Sequence, residues 1–376
     1  MKKLAAALLA ATFLALPVRA SGAPAAEAKA AVLMEKETGT ILYEQNSHDK
    51  LEPASVTKVM TLLLVMEAID SGSLSREDTV TVSAYAASMG GSQVYLKEGE
   101  QMTVHDLLKA VAVASGNDAS VALAEHLAGS EEAFVAKMNQ RAAELGMGDT
   151  CFMNCTGLPA AGHLTSAYDI ALMSRELILN HPSIREYTTI WMDSLRDGQF
   201  QLSNTNKLIR FYQGATGLKT GSTDAAGFCL SATAERDGME LIAVVLGCST
   251  SDVRSASAQA LLNYGFANYT LLDVYPNQAV PPVPVLLGES ETVQPVLAQP
   301  TRILVDKAAV NQVSVQLELC EDVEAPVEAG QTLGHMVVTA GDQTLADIPL
   351  VADQKVDRLS IPGIFLRLAR TLLMAG

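Results

Sequence analysis

A serine hydroxyl becomes a nucleophile only when a nearby group takes its proton, and Ser55 has such a group three residues on. In Ser55-Val56-Thr57-Lys58 the serine precedes an apolar run with helical spacing, residues 56–69. That places Ser55 at a helix N-terminus, where unpaired N–H groups and the local field favour an alkoxide or an acyl oxyanion. Lys58, one turn later, points the same way. A free lysine is charged at neutral pH and is no base. Burial and a neighbouring cation, for which Lys219 is the candidate, would lower its pKa until it accepts the serine proton.

Two further strings complete the set. Ser115-Gly116-Asn117 interrupts a helical region with a glycine, so a hydroxyl and an amide can face a cleft. Ser115 is placed to relay a proton between Lys58 and a leaving amine, and Asn117 to hold a substrate carbonyl. Lys219-Thr220-Gly221 precedes a strand-like segment. On an edge strand, Gly221 would admit a substrate backbone, and Lys219 and Thr220 would bind a terminal carboxylate. The Ser222 N–H would pair with that of Ser55 as an oxyanion hole. Alone, each string reads as an N-cap, a helix break or a turn. In this order in one chain they define acyl transfer by a serine with a lysine base.

The elements that must position them are legible from periodicity and breakers. Residues 31–34 and 40–43 flank Glu37-Thr38-Gly39 as a hairpin. Helical patterns run over 56–69, 104–115, 118–127, 131–145, 166–179 and 252–266. Residues 228–234 and 241–246 read as strands joined by a turn at Arg236-Asp237-Gly238. Strands at both ends with helices between predict one sheet whose first and last strands pair, covered by helices. Prolines crowd residues 276–300, and alternating apolar residues follow, as in Val313-Val315-Leu317-Leu319. The expected organisation is therefore an α/β domain with a mostly antiparallel sheet over residues 24–275 and a small all-β domain over 277–360.

The two ends have their own character. Lys2 and Lys3, an apolar run over 4–16, Pro17 and small residues around Ala20 have the form of a secretory leader over 1–20. After Pro362-Gly363, residues 361–376 place Arg367, Arg370 and Thr371 on one helical side and apolar residues on the other. This tail is too short to span a bilayer and suits its interface, which is favoured over packing on its own domain. The expected location is the outer face of the cytoplasmic membrane. The formal charge of the 376 residues is −16, which argues against nucleic acid as a partner. Of five cysteines, Cys151 and Cys155 lack a second ligand pair for a metal, while Cys229 and Cys248 either pair across strands or stay buried thiols.

With their flanks, these strings resemble those of the serine D-alanyl-D-alanine carboxypeptidases, the low-molecular-mass penicillin-binding proteins. The resemblance rests on Pro53-Ala54-Ser55-Val56-Thr57-Lys58, Ala114-Ser115-Gly116-Asn117-Asp118 and Gly217-Leu218-Lys219-Thr220-Gly221-Ser222. It extends through Asn154-Cys155-Thr156-Gly157-Leu158, His163-Leu164-Thr165 and Pro326-Val327-Glu328-Ala329-Gly330 to the tail. It implies a β-lactamase/transpeptidase-like fold with a C-terminal β domain. It implies that Ser55 is acylated by a peptidoglycan stem peptide ending in D-Ala-D-Ala, with Lys58 as base and Ser115 as proton relay. Asn117, Lys219, Thr220, Gly221 and Ser222 would bind substrate, water would release the acyl group, and β-lactams would acylate the same serine. No metal or organic cofactor is implied.

Two rivals share parts of this pattern. A class A β-lactamase also needs a glutamate for its deacylating water. Glu176, the available candidate, sits in a helical periodicity and reads as solvated. A non-catalytic scaffold that binds stem peptides without turnover is the alternative outside the enzymes. A Ser55–His163–Asp169 triad is unnecessary once Lys58 serves as base, and His163 reads as a structural hydrogen-bonding residue.

Overall fold

The computed structural model describes residues 22, 24–299 and 301–365. The expected leader over 1–20 lies outside the described residues, as does the tail beyond Phe365. Residues 361–365 are helical. The chain divides into two units between Gly265 and Phe266.

The first unit opens with β1 (Ala30–Glu35) and β2 (Ile41–Gln45), followed by a 3-10 turn at Ala54–Thr57 and α1 (Lys58–Asp70). Then come β3 (Thr79–Thr81), α2 (Ala84–Ala87), β4 (Gln101–Thr103), α3 (Val104–Ala114), α4 (Asn117–Ala128), α5 (Glu131–Glu144) and α6 (Ala167–Asn180). After α7 (Arg185–Thr188) a hairpin of β5 (Met192–Leu195) and β6 (Phe200–Ser203) leads through α8 (Leu208–Phe211) to β7 (Ala215–Thr223), β8 (Gly227–Arg236), β9 (Met239–Cys248) and α9 (Ser251–Asn268). The sheet has the order β2-β1-β9-β8-β7, with every pair antiparallel. The first and last strands therefore pair, as the sequence pattern predicts, and β7 is left at an edge.

Both faces of this sheet are covered, and the pleat explains how. All six residues of β1 are buried. Ala30, Val32 and Met34 point into the core built by α1, α3 and α6. Leu33 points the other way, where α9 comes so close that a Cβ on Gly265 would stand 3.0 Å from it and 2.4 Å from Leu241. Helix α1 is apolar all round, with Val59, Met60, Leu62, Leu63, Val65 and Met66 buried, as suits a helix inside a domain. The short β3/β4 and β5/β6 pairs carry no strong alternation in the sequence, and tertiary pairing makes them strands.

The second unit begins with β10 (Tyr269–Asp273), which precedes the proline-rich stretch and pairs with a strand beyond it. It continues through β11 (Val283–Leu286), β12 (Thr292–Val293), β13 (Pro295–Leu297), β14 (Arg302–Asp306), β15 (Val313–Leu319), β16 (Val323–Glu324), β17 (Thr332–Ala340) and β18 (Gln343–Ala352). Its largest sheet has the order β13-β18-β17-β15. Met336, Val338, Ile348 and Leu350 pack there with Ile303 and Val305. The unit is built of strands, in agreement with its alternating sequence.

Candidate active site

Ser55 lies in the 3-10 turn that feeds α1, and two close backbone approaches hold that turn. Ala54 adopts φ +47°, a conformation costly for a side chain that is not glycine. The loop after α5 presses on it: a Cβ on Gly157 would fall 1.9 Å from the Ala54 carbonyl oxygen. From the other side, β7 runs so near that a Cβ on Gly221 would meet the Ser55 nitrogen at 2.7 Å and the Pro53 oxygen at 2.9 Å. Besides the substrate approach expected from the sequence, the missing side chain at Gly221 makes room for the turn that carries Ser55.

Lys58 is fully buried at the start of α1 and its Nζ donates three hydrogen bonds. They go to Ser55 Oγ at 2.9 Å, Asn117 Oδ1 at 2.6 Å and the Thr156 carbonyl at 2.7 Å. Asn154 makes the last possible, because its Oδ1 accepts from the Thr156 and Gly157 N–H groups and so folds the loop beneath the lysine. Burial lowers the Lys58 pKa to about 7, with Cys155 and the Asp118 carboxylate acting in the opposite direction. Lys219, also buried, is held well below the ordinary lysine range by burial and then by the nearby cations Lys58 and Arg254. The expectation that Lys219 depresses Lys58 needs adjustment: burial is the cause at Lys58, and the two amines repel each other as a coupled pair.

The other predicted residues lie at the end of α3, at the start of α4 and on β7. Ser115 caps α3 with φ +63° and is 3% exposed. Asn117, in the first turn of α4, gives one amide N–H to the Gly90 carbonyl in addition to receiving Lys58. Lys219 Nζ donates to the Thr220 carbonyl at 2.9 Å, and the Thr220 hydroxyl donates to Thr205 Oγ1 at 2.7 Å. Ser222 is exposed on the β7 edge, opposite Phe228. Sequence reasoning missed Asn154, Thr156, Thr205 and the grip of Asp118. For Thr205 the available signal was Asn204-Thr205-Asn206, where two buried amides pin a loop: Asn204 to Ile190 O and Asn206 to Gly217 O.

The discarded trails resolve in physical terms. His163 Nδ1 accepts the Met153 N–H, so its neutral ring carries hydrogen on Nε2, which meets Thr57 Oγ1 at 2.8 Å. Asp169 instead accepts from the Asp149 N–H and the Thr150 hydroxyl, so no triad forms. Glu176 is not solvated as read. It is half-buried and takes Arg141 Nη2 at 2.6 Å and Asn180 Nδ2 at 2.9 Å. The same arginine bonds Glu67, so its guanidinium bridges Glu67 and Glu176, while His181 Nδ1 pairs with Asp70. All five cysteines are free thiols, with Cys155, Cys229 and Cys248 buried.

Comparison with known proteins agrees with this geometry. Residues 18–250 match the family model for D-alanyl-D-alanine carboxypeptidase, and residues 270–358 match that for the penicillin-binding protein 5 C-terminal domain. The chain is 45% identical to the D-alanyl-D-alanine carboxypeptidase DacF of Bacillus subtilis, over 92% of this chain and 89% of that one. Penicillin binding protein 5 from Haemophilus influenzae superposes with a TM-score of 0.82 at 30% identity, covering 89% of this chain and 99% of that one. Penicillin-binding protein D2 from Listeria monocytogenes, in its ampicillin-bound form, is 35% identical with a TM-score of 0.56, covering 64% of this chain and 98% of that one. Fold and relatives together define a serine peptidase. The chain belongs to the D-alanyl-D-alanine carboxypeptidase family.

Proposed function

We propose that this carboxypeptidase removes the terminal D-alanine of peptidoglycan stem peptides through an acyl-enzyme on Ser55. The observation that carries the reading is a buried amine with a pKa of about 7 standing 2.9 Å from the Ser55 hydroxyl. When charged, Lys58 donates to all three of its partners. When neutral, it keeps Asn117 Oδ1 and the Thr156 carbonyl for its two N–H bonds and turns its lone pair to the Ser55 proton.

Ser55 Oγ attacks the carbonyl of the penultimate D-alanine, and its proton passes to Lys58. The oxyanion rests against the Ser55 and Ser222 N–H groups. As the peptide C–N bond breaks, Lys58 returns the proton through Ser115 to the departing amine. The Lys219 ammonium and the Thr220 hydroxyl receive the terminal carboxylate, whose charge raises the depressed Lys219 pKa, so substrate binding draws in a proton. Asn117 keeps a second amide N–H for the substrate carbonyl. Water then hydrolyses the ester with Lys58 again as base. β-Lactams enter by the same attack, supported by the ampicillin-bound form of the Listeria relative.

Among the described residues no helix is long and apolar enough to cross a membrane. Export on the leader over 1–20 and interfacial anchoring by the tail over 361–376 complete the reading and place the site outside the cytoplasm, where its substrate is.

The test is D-alanine release from a pentapeptide ending in D-Ala-D-Ala, beside mass spectrometry after benzylpenicillin. The wild type should release D-alanine at a rate that rises with pH through about 7, as the amine loses its proton, and Ser55→Ala should lose both release and adduct. An adduct on any other residue would overturn the assignment. Nitrocefin turnover without D-alanine release would favour a β-lactamase.

A further inference from the structure

Residues 90–96 form no helix or strand, yet α4 holds their backbone at four points. Asn117 gives its amide N–H to the Gly90 carbonyl and its backbone N–H to the Ser92 carbonyl at 2.7 Å. Asp118, 1% exposed, accepts the Val94 N–H (3.1 and 3.2 Å to its two oxygens) and the Leu96 N–H (3.0 Å). Its remaining bond is from the Ala119 N–H at 2.9 Å. Val94 and Leu96 are the buried residues of this segment, and Asp118 pairs backbone N–H groups that their burial would otherwise leave unsatisfied. From the far side, Arg196 donates to the Val94 and Tyr95 carbonyls. Tyr95, between the two clamped N–H groups, sits at φ +57° and is 68% exposed. A tyrosine does not hold that backbone conformation without such constraints.

Asp118 has no lysine or arginine among its hydrogen-bond partners. Its charge is carried by backbone N–H groups at the first turn of α4. The cation that feels it is Lys58, whose hydrogen-bond partner Asn117 is the preceding residue.

We propose that Asp118 is a positioning residue with two separable effects: it fixes the 90–96 wall beside Asn117, and its buried negative charge, carried on α4 next to the residue that bonds Lys58, helps to hold the Lys58 ammonium. The proposal rests on the acyl-enzyme reading above. The groups that face Lys58 are Ser55 on its own turn, Asn117 and Asp118 from α4, Cys155 and the Thr156 carbonyl from the loop after α5, and Lys219 from β7. Of the side chains that stabilise its ammonium, Asp118 is the buried carboxylate. Replacing it with a neutral isostere removes one of the two side chains, with Cys155, that oppose burial at Lys58.

The two effects are separated by two substitutions. Asp118→Asn removes the charge and weakens the clamp. Arg196→Ala loosens the same segment from its other side and leaves the field at Lys58 alone. In kcat/KM for D-alanine release against pH, Asp118→Asn should move the acidic limb down by about one pH unit and lower kcat about tenfold. Arg196→Ala should lower kcat with the limb unmoved. An unshifted limb in a folded Asp118→Asn protein overturns the electrostatic half. If that variant does not fold, hydrogen exchange on the wild type decides the clamp, with the Val94 and Leu96 amides protected to the level of α4. Exchange at exposed-loop rates overturns it. Wild-type protein that releases no D-alanine would instead sink the acyl-enzyme reading, so the two failures are distinct.

Discussion

The two units differ in what they bury. The first encloses Glu35, Lys58, Asp118, Asp169, Lys219, Glu240 and Arg254. Among the described residues of the second, the buried polar side chain is Thr301. Ion pairs follow the same division. Glu240, 1% exposed, is held by Lys36 at 3.2 Å and by Arg185. The pairs of the second unit, such as Arg302–Asp273, His335–Asp347 and Arg358–Glu324, have side chains 37–61% exposed. A buried charge costs several kcal/mol unless it is fully bonded. A fold bears that cost where a perturbed group has work to do, and the depressed lysine pair is such a group. The second unit shows what a domain without that demand looks like: apolar cores and charges left in water.

The largest test of this contrast takes one core methionine from each unit. Met336 is fully buried against Val338, Ile348 and Leu350. Met336→Ala should cost about 2 to 5 kcal/mol, read as a lowered transition in calorimetry. D-alanine release at 25 °C should hold. Met66→Ala, inside the first unit, should cost a similar amount and reduce release as well. Equal loss of activity in both variants would show that the site depends on the second unit's core, and the division would fail.

Acid should separate the units next. His163 is 3% exposed, and burial lowers its pKa from 6.5 to about 4. The folded state therefore favours the neutral ring, so its contribution is complete above about pH 6.5 and is lost as pH falls towards 4. A shift of that size is worth on the order of 3 kcal/mol. The urea midpoint of the first unit should fall between pH 7 and pH 4.5, and His163→Asn should flatten that fall. The second unit's one histidine, His335, lies on the surface. A first unit whose midpoint does not move would show that the ring is protonated in the fold.

What the sequence made legible follows the same physical line. The helices and hairpins follow from periodicity and breakers, because each is local, and the sheet with paired ends follows from the order of strands and helices along the chain. Ser55, Lys58, Ser115, Asn117 and Lys219 were recognisable because spacing on a helix turn or strand dictates direction. Asn154, Thr205 and Asp118 were not, since their partners are backbone groups whose positions exist only after folding. The packing role of Gly221 was hidden for the same reason: the atoms it accommodates belong to residues 53–56, far away in sequence. Glu176 looked solvated because its helix places it on a polar side, and only α5 brings Arg141 to it.

The smallest effect is expected where charge is most visible. Arg358 Nη2 meets Glu324 Oε1 at 2.9 Å, with both side chains more than half exposed. Water screens the attraction, and holding two long side chains in one geometry consumes rotamer entropy, so such pairs contribute little. Arg358→Ala should change stability by less than about 0.5 kcal/mol, with the difference shrinking further in 1 M salt. Unfolding of wild type and variant at low and high salt makes the comparison. A loss above about 1 kcal/mol that persists in salt would mean that the pair is shielded from solvent. The second unit would then hold a charge as the first does, and the contrast between them would narrow.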